Sequence, residues 1–203
     1  MATTTPNYGW PVPTSTDYVK DGATAIEALG DAIDATVFGL PSAALILVKK
    51  QTIGSAVSSV QVTNAFSSTY DNYKIMITGG VANGIRDLGV SLDGITTGYY
   101  STLTYQAFGS TTVVGAQASN AARWSWTGAG TTAALYMNFD LLGPNLAKPK
   151  IGSNQLNEMG TAANNGVSRQ YNASTTQATG FTITPDAGNI TGGTIYVYGY
   201  GIS

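Results

Sequence analysis

Residues 73–78, Tyr-Lys-Ile-Met-Ile-Thr, are dense in aromatic and β-branched side chains and predict a strand. Leu88, Val90 and Leu92 alternate with Gly89 and Ser91, the period of a half-buried strand. In residues 194–200, Ile195, Val197 and Gly199 fall on one face, and Tyr196, Tyr198 and Tyr200 on the other. Further strands are expected at 43–48, 57–62, 99–108, 123–126, 135–142 and 180–184, and Asp93-Gly94 carries a type I′ hairpin signal. Strands of this length, punctuated by Gly-, Asn- and Ser-rich turns, predict a mainly β fold. The expected architecture is an antiparallel β-sandwich, jelly-roll-like, over residues 43–203.

The period changes in residues 22–38. Ile26, Leu29, Ile33 and Val37 recur at spacings of three, four and four, which places them on one helical stripe. Glu27, Asp31 and Asp34 lie off it. Thr24 and Glu27 match a capping box, and Gly39 and Pro41 are the expected stop. A helix of about 15 residues is marginal alone in water, so the stripe needs a partner. Two partners fit the pattern: further copies in a three-stranded coiled coil, or the chain's own sheet. Before the helix, Pro6, Pro11 and Pro13 exclude a helix over residues 1–21 and predict an extended thread carrying Tyr8, Trp10, Val12 and Tyr18. The expected organisation is therefore a leader at 1–21, a helix and connector at 22–42, and the sandwich at 43–203.

Composition narrows the function classes. Charged residues make up 10% of the 203, against about 25% in an ordinary soluble domain. The polar surface must then come from Thr, Ser, Asn, Gln and Gly. The aliphatic run at 43–48 is far short of the roughly 20 residues of a membrane-spanning helix, so no membrane insertion is expected. A hydrophobic content of 43% with 12 tyrosines argues against disorder. A net charge of −2 with scattered cations, of which only Lys49 and Lys50 are adjacent, gives no basis for binding nucleic acid. Residues 1–5 lack the basic and apolar regions of a signal peptide, so the sequons at Asn172 and Asn189 are expected to stay unmodified.

The chain has no cysteine and no histidine. Disulfides, thiolate metal sites, cysteine nucleophiles and serine–histidine relays are thereby excluded. Asp87 with Asp93, or Asp186, are the candidate acid–base carboxylates, but Asp93 and Asp186 read as turn residues. The stretch 186–189 is too sparse in ligands for a calcium loop. The glycines at 79–80, 128–130 and 192–193 lack the Gly-Lys-Ser/Thr of a phosphate loop. The expectation is no catalytic residue, metal or cofactor. Trp124 and Trp126 stand two apart on a predicted strand: exposed, they form an aromatic patch for a sugar or a partner; buried, they are core.

Two stretches carry a resemblance. Residues 6–35 begin Pro-Asn-Tyr-Gly-Trp-Pro and run into Ala25-Ile26-Glu27-Ala28-Leu29 and Ile33-Asp34-Ala35. They resemble the leader of minor structural and fibre proteins of tailed bacteriophages. The second stretch comprises residues 51–60, Phe66, residues 70–73 and residues 193–199, and is similar to the β-sandwich of phage fibre and head-decoration proteins. The resemblance implies a virion protein, assembled in the host cytoplasm, that is structural and not enzymatic. It implies attachment to other virion proteins of tail, collar or capsid through Asn7, Tyr8, Gly9, Trp10 and Pro11. It further implies a homotrimer, with Ile26, Leu29, Ile33 and Val37 as its helical interface, and a projecting sandwich available to a host surface glycan.

Overall fold

The computed structural model describes residues 3–12, 14, 18, 21–38, 45–157 and 164–201. The chain divides into two compact units, one built on Met1–Ser42 and one spanning Ala43–Gly201.

In the first unit the leader does not run as an extended thread. Strands β1 (Thr3–Thr4) and β2 (Pro11–Val12) pair antiparallel. Thr5 closes the loop between them: its N–H donates to Trp10 O at 2.9 Å, its carbonyl accepts from Gly9 N, and its Oγ1 accepts from Trp10 N. Gly9 takes φ +67°, a left-handed conformation that favours glycine. The reversal stacks Tyr8 on Trp10, with centroids 5.2 Å apart. Helix α1 (Gly22–Phe38) covers the residues the apolar period assigns to it. Thr24 lies inside its first turn, so the Thr24–Glu27 pattern does not cap it. The expected stop, Gly39 and Pro41, lies outside the described residues, as do Pro13 and residues 43–44.

The second unit is an antiparallel sandwich. One layer runs in the order β3 (Leu45–Thr52), β16 (Thr194–Tyr200), β5 (Asn72–Thr78), β11 (Leu135–Leu142), β12 (Lys150–Asn157), β13 (Asn164–Asn172), β8 (Tyr99–Ala107) and β9 (Val113–Ala121). The other runs β4 (Val60–Val62), β14 (Phe181–Pro185), β7 (Arg86–Leu92) and β10 (Trp124–Gly130). Short strands β6 (Val81–Ala82) and β15 (Ile190–Thr191) pair with each other. Asp93-Gly94 is not a hairpin, because β7 pairs with β10 and β14 rather than with β8. Ile95 N donates to Leu92 O at 3.1 Å, and only Gly94 has positive φ, the pattern of a type II turn.

Between the layers sits the apolar core. Tyr73, Ile75 and Ile77 of β5, Phe139 and Leu141 of β11, and Ile195 and Val197 of β16 face Leu88, Val90, Trp124, Phe181 and Ile183. Trp124 meets Tyr99 edge-on at 5.2 Å and Phe139 at 6.0 Å. Gly199 lies under the Tyr70 ring, where a β-carbon would come within 2.4 Å of it. Beyond β11 the inward positions become polar, with Asn154, Ser168, Gln170 and Asn172 all buried.

A bulge in β10 explains most of that polarity. Trp124 pairs with Val90 and Gly128 with Leu88, so four steps of β10 oppose two of β7. Trp126, at φ +57°, occupies the bulge, whose carbonyls cannot reach a neighbouring strand. Side chains from the facing layer reach them instead. Gln170 Nε2 donates to Ser125 O at 3.2 Å, Ser168 Oγ to Trp126 O at 2.7 Å, and Asn154 Nδ2 to Thr127 O at 2.6 Å. Ser101 Oγ accepts from Ser125 N at 3.0 Å. A buried carbonyl left without such a donor costs about 1–3 kcal/mol, so these polar residues are as structural as the leucines.

Candidate functional site

The expected sites separate. Of the attachment residues, Asn7, Tyr8 and Gly9 are exposed, while Trp10 and Pro11 are half-buried. Trp10 is held from α1, its Nε1 donating to Thr36 Oγ1 at 2.9 Å. Along α1, Leu29 and Ile33 are half-buried, but Ile26 is 66% exposed and Val37 59%. The half-buried positions instead run Ala25, Leu29, Ala32, Ile33 and Thr36, shifted from the expected stripe at both ends because Trp10 engages the Thr36 side. The ends of the apolar stripe are thus uncovered in a single chain.

Trp124 and Trp126 do not form a surface patch. Trp124 is fully buried, with Nε1 donating to Tyr171 O at 3.0 Å, and Trp126 is half-buried in the bulge. The positive φ at Trp126 breaks the alternation that would put both rings on one face. Asp87 and Asp93 stand at opposite ends of β7 and do not meet. Asp87 lies with Asp186 instead, its carbonyl accepting from Asp186 N at 2.8 Å. Its Oδ1 accepts from Trp126 N at 2.8 Å. Burial pushes the Asp87 carboxyl up to about 8, against the Trp126 amide, with the Asp186 charge adding and Arg123 opposing. That carboxyl group serves the bulge. The Asn172 sequon is buried, its Nδ2 donating to Thr97 O at 3.0 Å, which closes it to modification. No helix among the described residues is long and apolar enough to cross a membrane, and no group of acidic residues among them could hold a metal ion.

The feature that the sequence did not disclose is a cleft at a fork in the sheet. On one edge, β11 pairs first with β10, over Leu135–Met137, and then with β12, over Phe139–Leu142. Asn138 marks the change of partner, and there β10 and β12 part into the two layers. A cavity of about 280 Å³ opens at that point, bounded by Lys74, Asn138, Asp140, Ser153, Asn154, Gln155, Val167 and Arg169. A second, of about 220 Å³, shares Asn138 and Gln155 and adds Tyr136, Ile77 and Met137.

Register aligns the polar end. Lys74, Asp140, Ser153, Arg169 and Thr102 are successive lateral partners across β5, β11, β12, β13 and β8. Lys74 Nζ lies 3.0 Å from Asp140 Oδ1, which also accepts from Tyr200 OH at 2.5 Å. Burial, then the Asp140 hydrogen bond and charge, push the Tyr200 hydroxyl up to about 12, so it remains a donor. Asn154 is buried, yet its Oδ1 has no hydrogen-bond partner among the described residues. Two residues along the same strands, Leu142, Ile151, Tyr171 and Tyr100 form an exposed lateral row. The alternation of β11 puts Tyr136, Asn138 and Asp140 on its outer face. Gln155 and Arg169 lay on strands with no apolar signal.

No protein-family model, curated protein or solved structure matches this chain.

Proposed function

We propose that this protein is a structural component of a tailed-bacteriophage particle, a short fibre or decoration that joins other virion proteins through its N-terminal unit and works without catalytic turnover. The observation that carries the reading is α1. Ile26 and Val37, at the two ends of its apolar stripe, are uncovered in a single chain, on a unit distinct from the sandwich. A helix of this length gains little by itself, and burying the two uncovered side chains between copies contributes roughly 3–6 kcal/mol before ordering entropy is subtracted. The resemblance of residues 6–35 to phage structural leaders supplies the setting, and exposed Asn7, Tyr8 and Gly9 are available to a particle partner. A sequence with neither cysteine nor histidine supports a role in assembly rather than turnover.

Light scattering on the intact protein tests this reading. Trimers are expected, and Leu29→Asp with Ile33→Asp should dissociate them, because charge near a three-fold axis is costly to desolvate. Deleting residues 2–21 should leave a folded protein that no longer enters particles. A wild-type monomer at tens of micromolar, or normal incorporation of the deleted form, overturns the proposal. So does turnover of a host polysaccharide that Asp87→Asn abolishes.

A further inference from the structure

We infer that Asn83 is a site of spontaneous deamidation, with Gly84 N as the nucleophile and Arg86 Nε and Asn189 N as the donors that stabilise the oxyanion. Asn83 lies in the loop between β6 and β7, and its chemistry does not depend on the virion reading. The dipeptide Asn-Gly occurs twice in the chain, at 83–84 and at 165–166. Glycine matters because no β-carbon hinders its nitrogen from approaching the side-chain carbonyl before it. The two dipeptides sit in opposite settings.

Asn83 is exposed and extends the β6–β15 pairing by one step, its N–H donating to Asn189 O at 3.0 Å. Its Oδ1 accepts two hydrogen bonds, from Arg86 Nε at 3.2 Å and from Asn189 N at 3.3 Å. Gly188 leaves room for that oxygen, because a β-carbon there would overlap it. Both donors address the atom that becomes negative when a nucleophile adds to Cγ. Among the described residues, neither Gly84 N–H nor Asn83 Nδ2 has a hydrogen-bond partner. The attacking and leaving nitrogens are thus unrestrained while the carbonyl oxygen is held. Gly166 is the reverse. It is buried within β13 and paired on both sides, with Leu156 and with Tyr105. In a strand with two neighbours each N–H enters one ladder or the other, so this nitrogen is engaged.

The step needs no co-reactant but water. Gly84 N bonds to Asn83 Cγ, its proton passes through water to Nδ2, and the Cγ–Nδ2 bond breaks as ammonia departs. Water then opens the cyclic imide at either carbonyl, giving aspartate or isoaspartate. Either product adds one negative charge to a chain of net −2. Aspartate sets a carboxylate against Arg86 and the Asn189 amide, a charge-assisted contact. Isoaspartate lengthens the main chain by a methylene where Asn83 N meets Asn189 O, and so loosens the β6–β15 end.

The test holds the full chain at neutral pH and physiological temperature for weeks and maps its peptides by mass spectrometry, with chromatographic separation of isoaspartyl forms. Expected is conversion at Asn83 at least about tenfold faster than at Asn165 in the folded chain, and similar rates at the two sites in urea. Gly84 lies outside the left-handed region, and a β-carbon on it would meet nothing closer than 3.4 Å. Gly84→Ala should therefore slow Asn83 about tenfold with an unchanged melting temperature. Arg86→Met removes one of the two donors and should slow Asn83 about fivefold, with melting curves confirming the fold. Equal rates at Asn83 and Asn165 in the folded chain overturn the inference. So does an asymmetry that persists in urea, or a Gly84→Ala chain that converts as fast as wild type. A faster Asn83 in folded Arg86→Met also overturns it, because the donors would then restrain the amide rather than activate it.

Discussion

Asp87 gives the sandwich a pH dependence that one substitution should remove. Its Oδ1 accepts from Trp126 N at 2.8 Å and so pins the bulge of β10 to β7. Burial raises its pKa from 3.8 to about 8, against the Trp126 amide and the Arg123 charge and with the help of Asp186. An unfolded chain releases this proton near its ordinary value, whereas the folded chain keeps it until about 8. Between those limits the folded state binds more protons, so stability is greatest below the lower value and is lost as pH rises through the upper one. The slope is about 1.4 kcal/mol per pH unit, or about 2.7 kcal/mol between about pH 5 and about pH 7. Asp87→Asn keeps an acceptor for Trp126 and cannot ionise. Urea unfolding of both proteins at intervals across that range should therefore show the variant gaining on the wild type by about 2.7 kcal/mol. A gap constant within about 0.5 kcal/mol would refute the reasoning. A variant that loses ground as pH rises would show instead that Asp87 is ionised and paired with Arg123.

Other substitutions test the core and the bulge. Trp124→Ala removes contacts to Tyr99 and Phe139 and should cost about 3–5 kcal/mol in denaturant unfolding. Ser168→Ala leaves Trp126 O without its donor and should cost about 1–3 kcal/mol, with little change in m-value. Gly152→Ala places a β-carbon 2.4 Å from the Phe139 ring, and overpacking of that kind should lower stability by about 1–3 kcal/mol. Equal melting temperatures for wild type and Gly152→Ala would mean that the Phe139 ring shifts aside more readily than its packing implies.

The sequence determined the longer elements whose inward face is apolar, but not the two-residue strands β6 and β15, which bury Ala82 and Ile190. Helix α1 and strands β5, β11 and β16 were legible because alternation, or a period near 3.6, is a local property that each segment carries in full. The leader's reversal was not legible, because it depends on Thr5 meeting Trp10 and on Gly9 adopting positive φ. Strands β12 and β13 were not among the expected strands for a different reason. Their inward residues Asn154, Ser168 and Gln170 are polar because they serve carbonyls of a bulge far away in sequence. That need arises only when two layers face each other, and it inverts the local signature of a buried strand. The bulge also decided the fate of Trp124 and Trp126, which alternation placed together and the left-handed turn at Trp126 separated. The cleft belongs to the same class. Asn138 and Gln155 become neighbours only because β11 changes partner there, and a strand's own residues do not record which neighbours share its edge.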